Sequence, residues 1–213
     1  MGISEFSIPF RYKTNRSSPF TWLLSHTLHH WAVFLAALIG AIGNAAFAAI
    51  PAVQFGIVFT NLTSGAPDKA VFLRAALIIT YTQIVRGLFQ LMRNFGFEST
   101  AQLIERDVRD EFYISLLGKS MTFHALQSVG DLMARATNDI REVNFLFSPG
   151  INMVFGSLNF LFIPLVIGWE INPALLLTPV LFILSYFLSI AGYLKKLRPV
   201  TSRVRSSFGL MNS

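Results

Sequence analysis

Long apolar segments alternate with charged segments along the 213 residues of the chain. Four of the apolar segments are long enough to cross the roughly 30 Å hydrocarbon core of a bilayer as helices. They lie at about residues 31–59, 71–93, 145–169 and 174–194. The second continues with helical periodicity and increasing charge to residue 118, and the fourth continues to residue 213. The pattern predicts an all-α membrane protein whose long helices extend beyond the membrane.

The segment before the first span predicts a helix on the membrane surface. Residues 1–18 are polar and basic, and Ser18 with Pro19 suits the cap and first position of a helix over residues 19–30. Apolar side chains recur there at helical spacing, at Phe20, Leu23, Leu24, Leu28 and Trp31. We therefore expect an amphipathic helix in the cytoplasmic interface.

Charge refines this picture. Only 13% of the residues are charged and 53% are hydrophobic, which is typical of a membrane protein. Lysine and arginine concentrate in both terminal segments and in the connection between spans two and three, whereas the loops at 61–69 and 170–172 contain few. The positive-inside rule then puts both termini and the long connection in the cytoplasm. The net charge of +6 suits anionic lipid headgroups rather than nucleic acid.

The long connection contains little loop chemistry. Leu103, Val108, Phe112, Leu116 and Leu117 recur at helical spacing, so span two should project roughly 40 Å into the cytoplasm before the chain reverses. Ser128 and Asp131 form an S-x-x-D capping sequence that predicts a new helix. On that helix Asp131, Arg135 and Asp139 are four residues apart, beside an apolar stripe of Leu132, Ala136, Ile140 and Val143. The charges fit either a solvated helix face or the support of a contact site.

One stretch in this connection, "FHALQSVGDLMARATNDIREV", resembles the first intracellular loop of ABC exporter transmembrane domains. That loop has an aromatic residue followed, seven positions later, by G-[DE]-L-x-x-R-x-x-x-D. The matching residues here are Phe123, Gly130, Asp131, Leu132, Arg135 and Asp139. Ala134 stands where the family often has serine. The resemblance extends over nearly the whole chain, as an elbow helix, a long hairpin, a short outer loop and a second hairpin.

The resemblance implies a coupling helix that docks in a nucleotide-binding domain. Its residues would be Thr122, Phe123, His124, Ala125, Leu126, Gln127, Ser128 and Val129. The chain would be the permease part of an exporter that moves an amphipathic or hydrophobic substrate by alternating access. ATP and Mg²⁺ would bind to the nucleotide-binding domain, joined in cis or acting in trans, and no cofactor would bind to this chain.

The other implied partners are membrane lipids and a second transmembrane subunit, identical or different. Family domains have six spans, so four spans predict an incomplete domain, either a fragment or a truncated product. The expected location is the bacterial inner membrane, with both termini in the cytoplasm.

Two other functions stay open at this point. A non-transporting membrane scaffold could dock a soluble partner through the same turn, residues 122–130. An ion-coupled carrier is less favoured because no acidic residue lies within an apolar core. The sequence contains no G-x-x-x-x-G-K-[ST] motif, so this chain does not itself cradle ATP phosphates in the P-loop manner.

Polar residues within the spans are candidates for a translocation pathway: Arg86, Gln83 and Asn159. Arg86 lies roughly 18 Å along the helix from Arg74, where an arginine contacts an anionic group or snorkels to the interface. Gln83 and Asn159 either line a pathway or bond between helices. Small residues around Gly40 and Gly43 predict close helix packing. His26, His29 and His30 are interpreted as interfacial polar residues, because further zinc ligands are not in evidence.

Overall fold

The computed structural model describes residues 10–211 and, beyond residue 158, only part of the side chains. The chain divides into two compact units, Met1–Asn159 and Phe160–Ser213. The helices are α1 (Pro19–His29), α2 (Trp31–Ala48), α3 (Ile50–Thr63), α4 (Lys69–Leu117), α5 (Met121–Leu126), α6 (Val129–Ala134), α7 (Ile140–Phe145), α8 (Asn152–Ile171) and α9 (Leu177–Met211). The prediction of an all-α membrane protein is confirmed.

Within the described residues, three helical segments are long and apolar enough to cross a membrane: Trp31–Thr63, Lys69–Leu117 and Pro173–Leu197. The first consists of α2 and α3, which meet at Ala49 and place Pro51 in the first turn of α3. Proline is tolerated there because the first N–H groups of a helix have no intrahelical partner. The span predicted at 145–169 corresponds largely to α8, some of whose side chains are not among those described.

Small residues let α2 and α4 approach closely. A Cβ atom added to Gly40 would lie 2.5 Å from the backbone nitrogen of Arg93, and one added to Gly96 would lie 2.7 Å from Cβ of Ala37. An added Cβ at Gly43 would overlap the ring of Phe89. The predicted close packing is therefore present, and it is the kind of contact that helices use in lipid.

Helix α4 contains 49 residues and is roughly 70 Å long, more than twice the thickness of the hydrocarbon core. Beyond its apolar part, which ends near Arg93, it forms a hydrophobic core with the returning chain. The buried residues of this core are Ala101, Ile104, Val108, Ile140 and Phe147. Leu103 lies outside it and Leu117 is 46% exposed, so the buried face differs from the one that the leucines predict.

The returning chain is an interrupted helix. One π-helical turn, Arg135–Asp139, joins α6 to α7, and another, Leu146–Ile151, joins α7 to α8. Hydrogen bonds tie this segment to α4: Asn144 Nδ2 donates to Glu105 Oε2 at 2.8 Å, and Ser148 Oγ donates to Glu98 Oε2 at 2.6 Å. These bonds join the two arms of the hairpin, α4 and the returning chain, at Glu98 and Glu105.

In the second unit a side-chain cap precedes the last helix. The side chain of Asn172 accepts a hydrogen bond from the backbone N–H of Ala174 at 2.9 Å. A short 3₁₀ turn, Pro173–Leu176, then leads into α9.

Candidate functional site

The end of this hairpin, farthest from the apolar part of α4, consists of α5 and α6, each begun by a serine cap. Ser120 Oγ accepts from the backbone N–H of Phe123 at 3.2 Å, and Ser128 Oγ accepts from that of Asp131 at 3.0 Å. These caps satisfy N–H groups that a helix leaves without partners. They hold α5 between the two arms of the hairpin, where the resemblance puts a coupling helix.

Three apolar side chains at this end face solvent: Met121 is 80% exposed, Leu126 is 78% exposed and Val129 is 75% exposed. We call these three residues the tip surface. Phe123, in contrast, is only partly exposed, and its ring lies 5.7 Å from Nζ of Lys119 and packs edge-on to His124. Leu126 is therefore better placed than Phe123 to contact a partner. Of the other residues implied for coupling, Thr122, His124, Ala125 and Ser128 are exposed and Gln127 is partly buried.

The residues of the family motif form the support of the tip. Gly130, Asp131 and Leu132 lie in α6, and Arg135 and Asp139 bound the first π-helical turn. Arg135 Nε lies 3.1 Å from Asp131 Oδ2, the predicted pairing of residues four apart. The stripe of Leu132, Ala136, Ile140 and Val143 lies on the less exposed side, and Ile140 and Val143 belong to the core or pack against it.

Within the membrane part of the chain, Arg86 bonds to two neighbouring amides. Its Nε donates to Asn44 Oδ1 of α2 at 3.0 Å, and its Nη1 donates to Gln83 Oε1 at 3.2 Å. Among the described residues, the buried Gln83 Nε2 has no hydrogen-bond partner. The structure thus brings two of the three candidate pathway residues together. The side chain of the third, Asn159, lies outside the described residues.

Sequence analysis missed a buried polar cluster between the N-terminal segment, α1 and α4. Glu111 of α4 is 6% exposed, and both its carboxylate oxygens accept hydrogen bonds. Oε1 accepts from Thr14 Oγ1 at 2.9 Å and from the guanidinium of Arg16. Oε2 accepts from Trp22 Nε1 and His26 Nε2, both at 3.0 Å.

One turn earlier on α4, Asp107 is equally well bonded and is 2% exposed. Its Oδ1 accepts from Nε and Nη2 of Arg106, at 3.0 and 2.8 Å. Its Oδ2 accepts from Tyr12 Oη at 2.9 Å and from His30 Nε2 at 2.7 Å. Tyr12 Oη also lies 2.6 Å from Nδ1 of His26, which is completely buried. The cluster joins three segments that are far apart in sequence.

These bonds keep the two carboxylates ionised. Burial acts to raise the pKa of Glu111, but hydrogen bonds from His26, Trp22, Arg16 and Thr14 outweigh burial and lower the pKa to about 2. Burial likewise opposes ionisation of Asp107, yet bonds from His30, Arg106 and Tyr12 lower its pKa. The pKa of Tyr12 is raised well above its ordinary value, first by burial and then by its hydrogen bond to Asp107.

A signal for this cluster exists in the sequence. His26 and His30 are four residues apart on α1, and Asp107 and Glu111 are four residues apart on α4. Two such pairs fit face to face when two helices pack side by side. The sequence predicts interfacial polar residues at the three histidines; in the structure His26 and His30 are in addition hydrogen-bonded to buried carboxylates.

Together, the membrane-length helices and the hairpin that extends beyond the apolar part of α4 are the features of a membrane domain with a large part outside the bilayer. Residues 33–213 match the family model described as the ABC transporter transmembrane region. The chain belongs to this family, and the resemblance drawn from its intracellular loop is confirmed.

Known relatives agree with the family. The ATP-dependent lipid A-core flippase 1 of Colwellia psychrerythraea is 25% identical over 199 residues, which cover 89% of this chain and 31% of the relative. The ATP-dependent lipid A-core flippase of Pseudoalteromonas translucida is 21% identical, over 88% of this chain and 32% of the relative. A probable multidrug resistance ABC transporter ATP-binding/permease protein of Bacillus subtilis, YheI, is 28% identical. The match covers 63% of this chain and 23% of the relative. The chain spans about a third of the length of the two flippases.

Proposed function

We propose that the chain is the N-terminal part of the permease domain of an ABC exporter, and that its cytoplasmic hairpin transmits force from a nucleotide-binding domain. The observation that carries this function is the tip surface. Three exposed apolar side chains stand at the end of a helix that projects roughly 40 Å beyond the apolar segment. Exposed apolar groups in water at such a distance from the bilayer are typical of a protein contact.

The hairpin is built to move as one body. Its arms share an apolar core, and side-chain hydrogen bonds join them at Glu98 and at Glu105. A displacement of α5 would reach these joined arms through the short connections at residues 118–120 and 127–128. Closure of the nucleotide-binding domains on ATP would push or pull α5, and the membrane part would alternate between inward-facing and outward-facing states.

Arg86 with Gln83 is the best-supported part of a substrate path. The guanidinium is held by Asn44 and Gln83 through two of its N–H groups, so other donors stay available for an anionic group of an amphipathic substrate. Two relatives are named as lipid A-core flippases and one as a multidrug transporter, and such cargo is amphipathic or hydrophobic. We infer the same broad substrate class here, with Asn159 as a third candidate on this path.

The rest of the working protein follows from this function. The chain would act with a nucleotide-binding domain, in cis or in trans, that holds ATP and Mg²⁺, and with a second transmembrane subunit. Its termini and tip surface would lie in the cytoplasm, with the loops at 61–69 and 170–172 on the opposite side of a bacterial inner membrane.

A photo-crosslinking experiment tests the partner. A benzophenone amino acid replaces Leu126 in cells that express the chain with its native neighbours, and the crosslinked protein is sequenced. The matched control is Tyr113, which is 61% exposed on α4. We expect position 126 to capture a protein or segment with a G-x-x-x-x-G-K-[ST] motif, and position 113 to capture much less. A partner without that motif at position 126 would favour the membrane scaffold.

A further inference from the structure

In the buried cluster beneath α1, the pattern of hydrogen bonds determines how many hydrogens its side chains must carry. Carboxylates only accept hydrogen bonds, and a tyrosine hydroxyl has a single hydrogen. The 2.9 Å contact between Tyr12 Oη and Asp107 Oδ2 therefore uses the hydrogen of Tyr12. Tyr12 Oη then has only lone pairs available for His26, so it can only accept a hydrogen bond from that ring.

His26 must consequently donate through both ring nitrogens. Its Nδ1 lies 2.6 Å from Tyr12 Oη, which can only accept, and its Nε2 lies 3.0 Å from Glu111 Oε2, which is a carboxylate oxygen. A histidine with hydrogens on both nitrogens is an imidazolium cation. Full burial of this ring with its Nε2 against the carboxylate of Glu111 agrees with that charge.

Loss of one proton from His26 would leave this network with one hydrogen too few. Either the Tyr12–His26 contact or the Tyr12–Asp107 contact would then join two lone pairs at hydrogen-bond distance. Buried polar groups without a bonding hydrogen are costly, so the packed arrangement is favoured only while the proton is present.

The contact that depends on this proton is extensive. Across it, α4 is joined to the N-terminal segment by Tyr12, Thr14 and Arg16 and to α1 by Trp22, His26 and His30. Arg11 adds an exposed ion pair with Asp110 at 3.6 Å. The charged and titratable groups that surround His26 are Tyr12 and Arg16 of the N-terminal segment, Arg106, Asp107 and Glu111 of α4, and His29 and His30 of α1.

We propose that residues 10–18 and α1 form a proton-dependent latch on the cytoplasmic part of α4, which is closed while His26 is doubly protonated and opens when it loses a proton. Opening frees α4 from the membrane-surface helix. The latch thereby regulates how freely the cytoplasmic hairpin moves. This step depends on a conformational change of this chain alone, so it can fail without affecting the proposed docking of a nucleotide-binding domain.

The test is a distance measurement between two spin labels in lipid vesicles. Lys13→Cys lies on the N-terminal segment and Tyr113→Cys on α4; both positions are exposed and the chain has no native cysteine. Distances are recorded between about pH 5 and about pH 9, the range in which an ordinary histidine titrates. We expect one short distance at the acid end and a second, longer population at the alkaline end. The ratio of open to closed should rise by up to about tenfold per pH unit, the limit for one proton.

Two variants identify the proton. His26→Gln can still donate to Glu111 but does not titrate, so its distance distribution should be the same at both ends of the pH range. His29→Gln is the matched control, because His29 stacks on Tyr12 at 3.8 Å but takes no part in the carboxylate bonds described above; it should keep the response. A distribution that does not change with pH, opening toward acid within this range, or a response that persists in His26→Gln would each overturn the proposal.

Discussion

The two halves of α4 make opposite kinds of contact. In its membrane half, α4 packs against α2 through bare backbone at Gly40 and Gly43. In its C-terminal half, the same helix packs against α1 and the N-terminal segment through Asp107 and Glu111, two buried carboxylates. Together they accept hydrogen bonds from three side chains of the N-terminal segment, Tyr12, Thr14 and Arg16, and from three at α1, Trp22, His26 and His30. One continuous helix therefore combines a contact of small residues with a contact of charges.

The difference follows from the solvent on each side. Lipid gives helices no hydrophobic reason to associate, so close van der Waals packing of small residues and a few polar bonds must suffice. Outside the bilayer, burial from water supplies a driving force, and charged groups are tolerated when each is paired and bonded. Along α4 the change from small-residue to charged contacts falls between Gly96 and Asp107.

The largest effect should come from chemical labelling along α4. Ile84 is 62% exposed and Tyr113 is 61% exposed, so the protein itself shields neither side chain. In membrane vesicles, a water-soluble thiol reagent should label Tyr113→Cys and leave Ile84→Cys unlabelled, because only the bilayer distinguishes them. Labelling of Tyr113→Cys should also require access to the cytoplasmic face. Equal labelling of both cysteines would mean that α4 is not divided in this way.

The charged contact should be more sensitive to substitution than the small-residue contact. Glu111→Leu leaves Trp22, His26 and Arg16 without their buried acceptor and should lower the free energy of unfolding by about 3–5 kcal/mol. The measurement is denaturant unfolding in detergent, with Glu142→Leu, an exposed glutamate on α7, as the control. A loss no greater than that of the control would show that the cluster contributes little.

One added methyl group should disrupt the small-residue contact between α2 and α4. Gly40→Ala puts a Cβ atom 2.5 Å from the backbone of Arg93, which has no side-chain freedom to move away, and should cost about 1–3 kcal/mol. Gly87→Ala on α4 is the control, because nothing lies within 4 Å of its Cβ position. The control should be neutral or slightly stabilised, since alanine favours a helix. If both variants melt alike, α2 and α4 do not approach as closely as described.

The smallest effect is expected from mild acid. Glu111 has a folded pKa of about 2, below its ordinary value of 4.5, so its stabilising bonds are fully present above pH 4.5 and are lost as pH falls through 2. Lowering the pH from neutral to about 4.5 should therefore leave the contact between α1 and α4 intact. Hydrogen exchange of the backbone amides of α1 measures this. Rapid exchange already at the upper end of this range would show that Glu111 is protonated there.

Local patterns predicted much of the fold. The caps at Ser18 and Ser128 are present because each depends on a few neighbouring residues. Close packing at Gly40 also followed from composition alone. Which side of the long helix α4 is buried did not follow from local patterns. The buried side of its C-terminal half includes Asp107 and Glu111, which a search for apolar residues excludes.

The site was predictable only in part for the same reason. His26 and Glu111 are 85 positions apart, so the sequence does not indicate that they meet. Near the tip surface, the aromatic residue of the motif is Phe123, but its ring lies against Lys119 and His124. Which side chain faces outward on a six-residue helix depends on the caps and on the angle at which the arms meet, and neither has a local signature.

The central claim is that force enters through the tip surface, and substrate-stimulated ATP hydrolysis tests it most directly. The permease is reconstituted in lipid with its nucleotide-binding partner, and Leu126→Ala is compared with Tyr113→Ala at matched amounts. Loss of an apolar anchor at a small contact commonly weakens it by more than about 1 kcal/mol, so stimulation should fall by about tenfold in Leu126→Ala and stay unchanged in Tyr113→Ala. A variant that combines Leu126→Ala with Met121→Ala and Val129→Ala removes the whole tip surface. If stimulation and transport are unchanged in that variant, the account is contradicted, because the nucleotide-binding domain then acts on the membrane domain elsewhere.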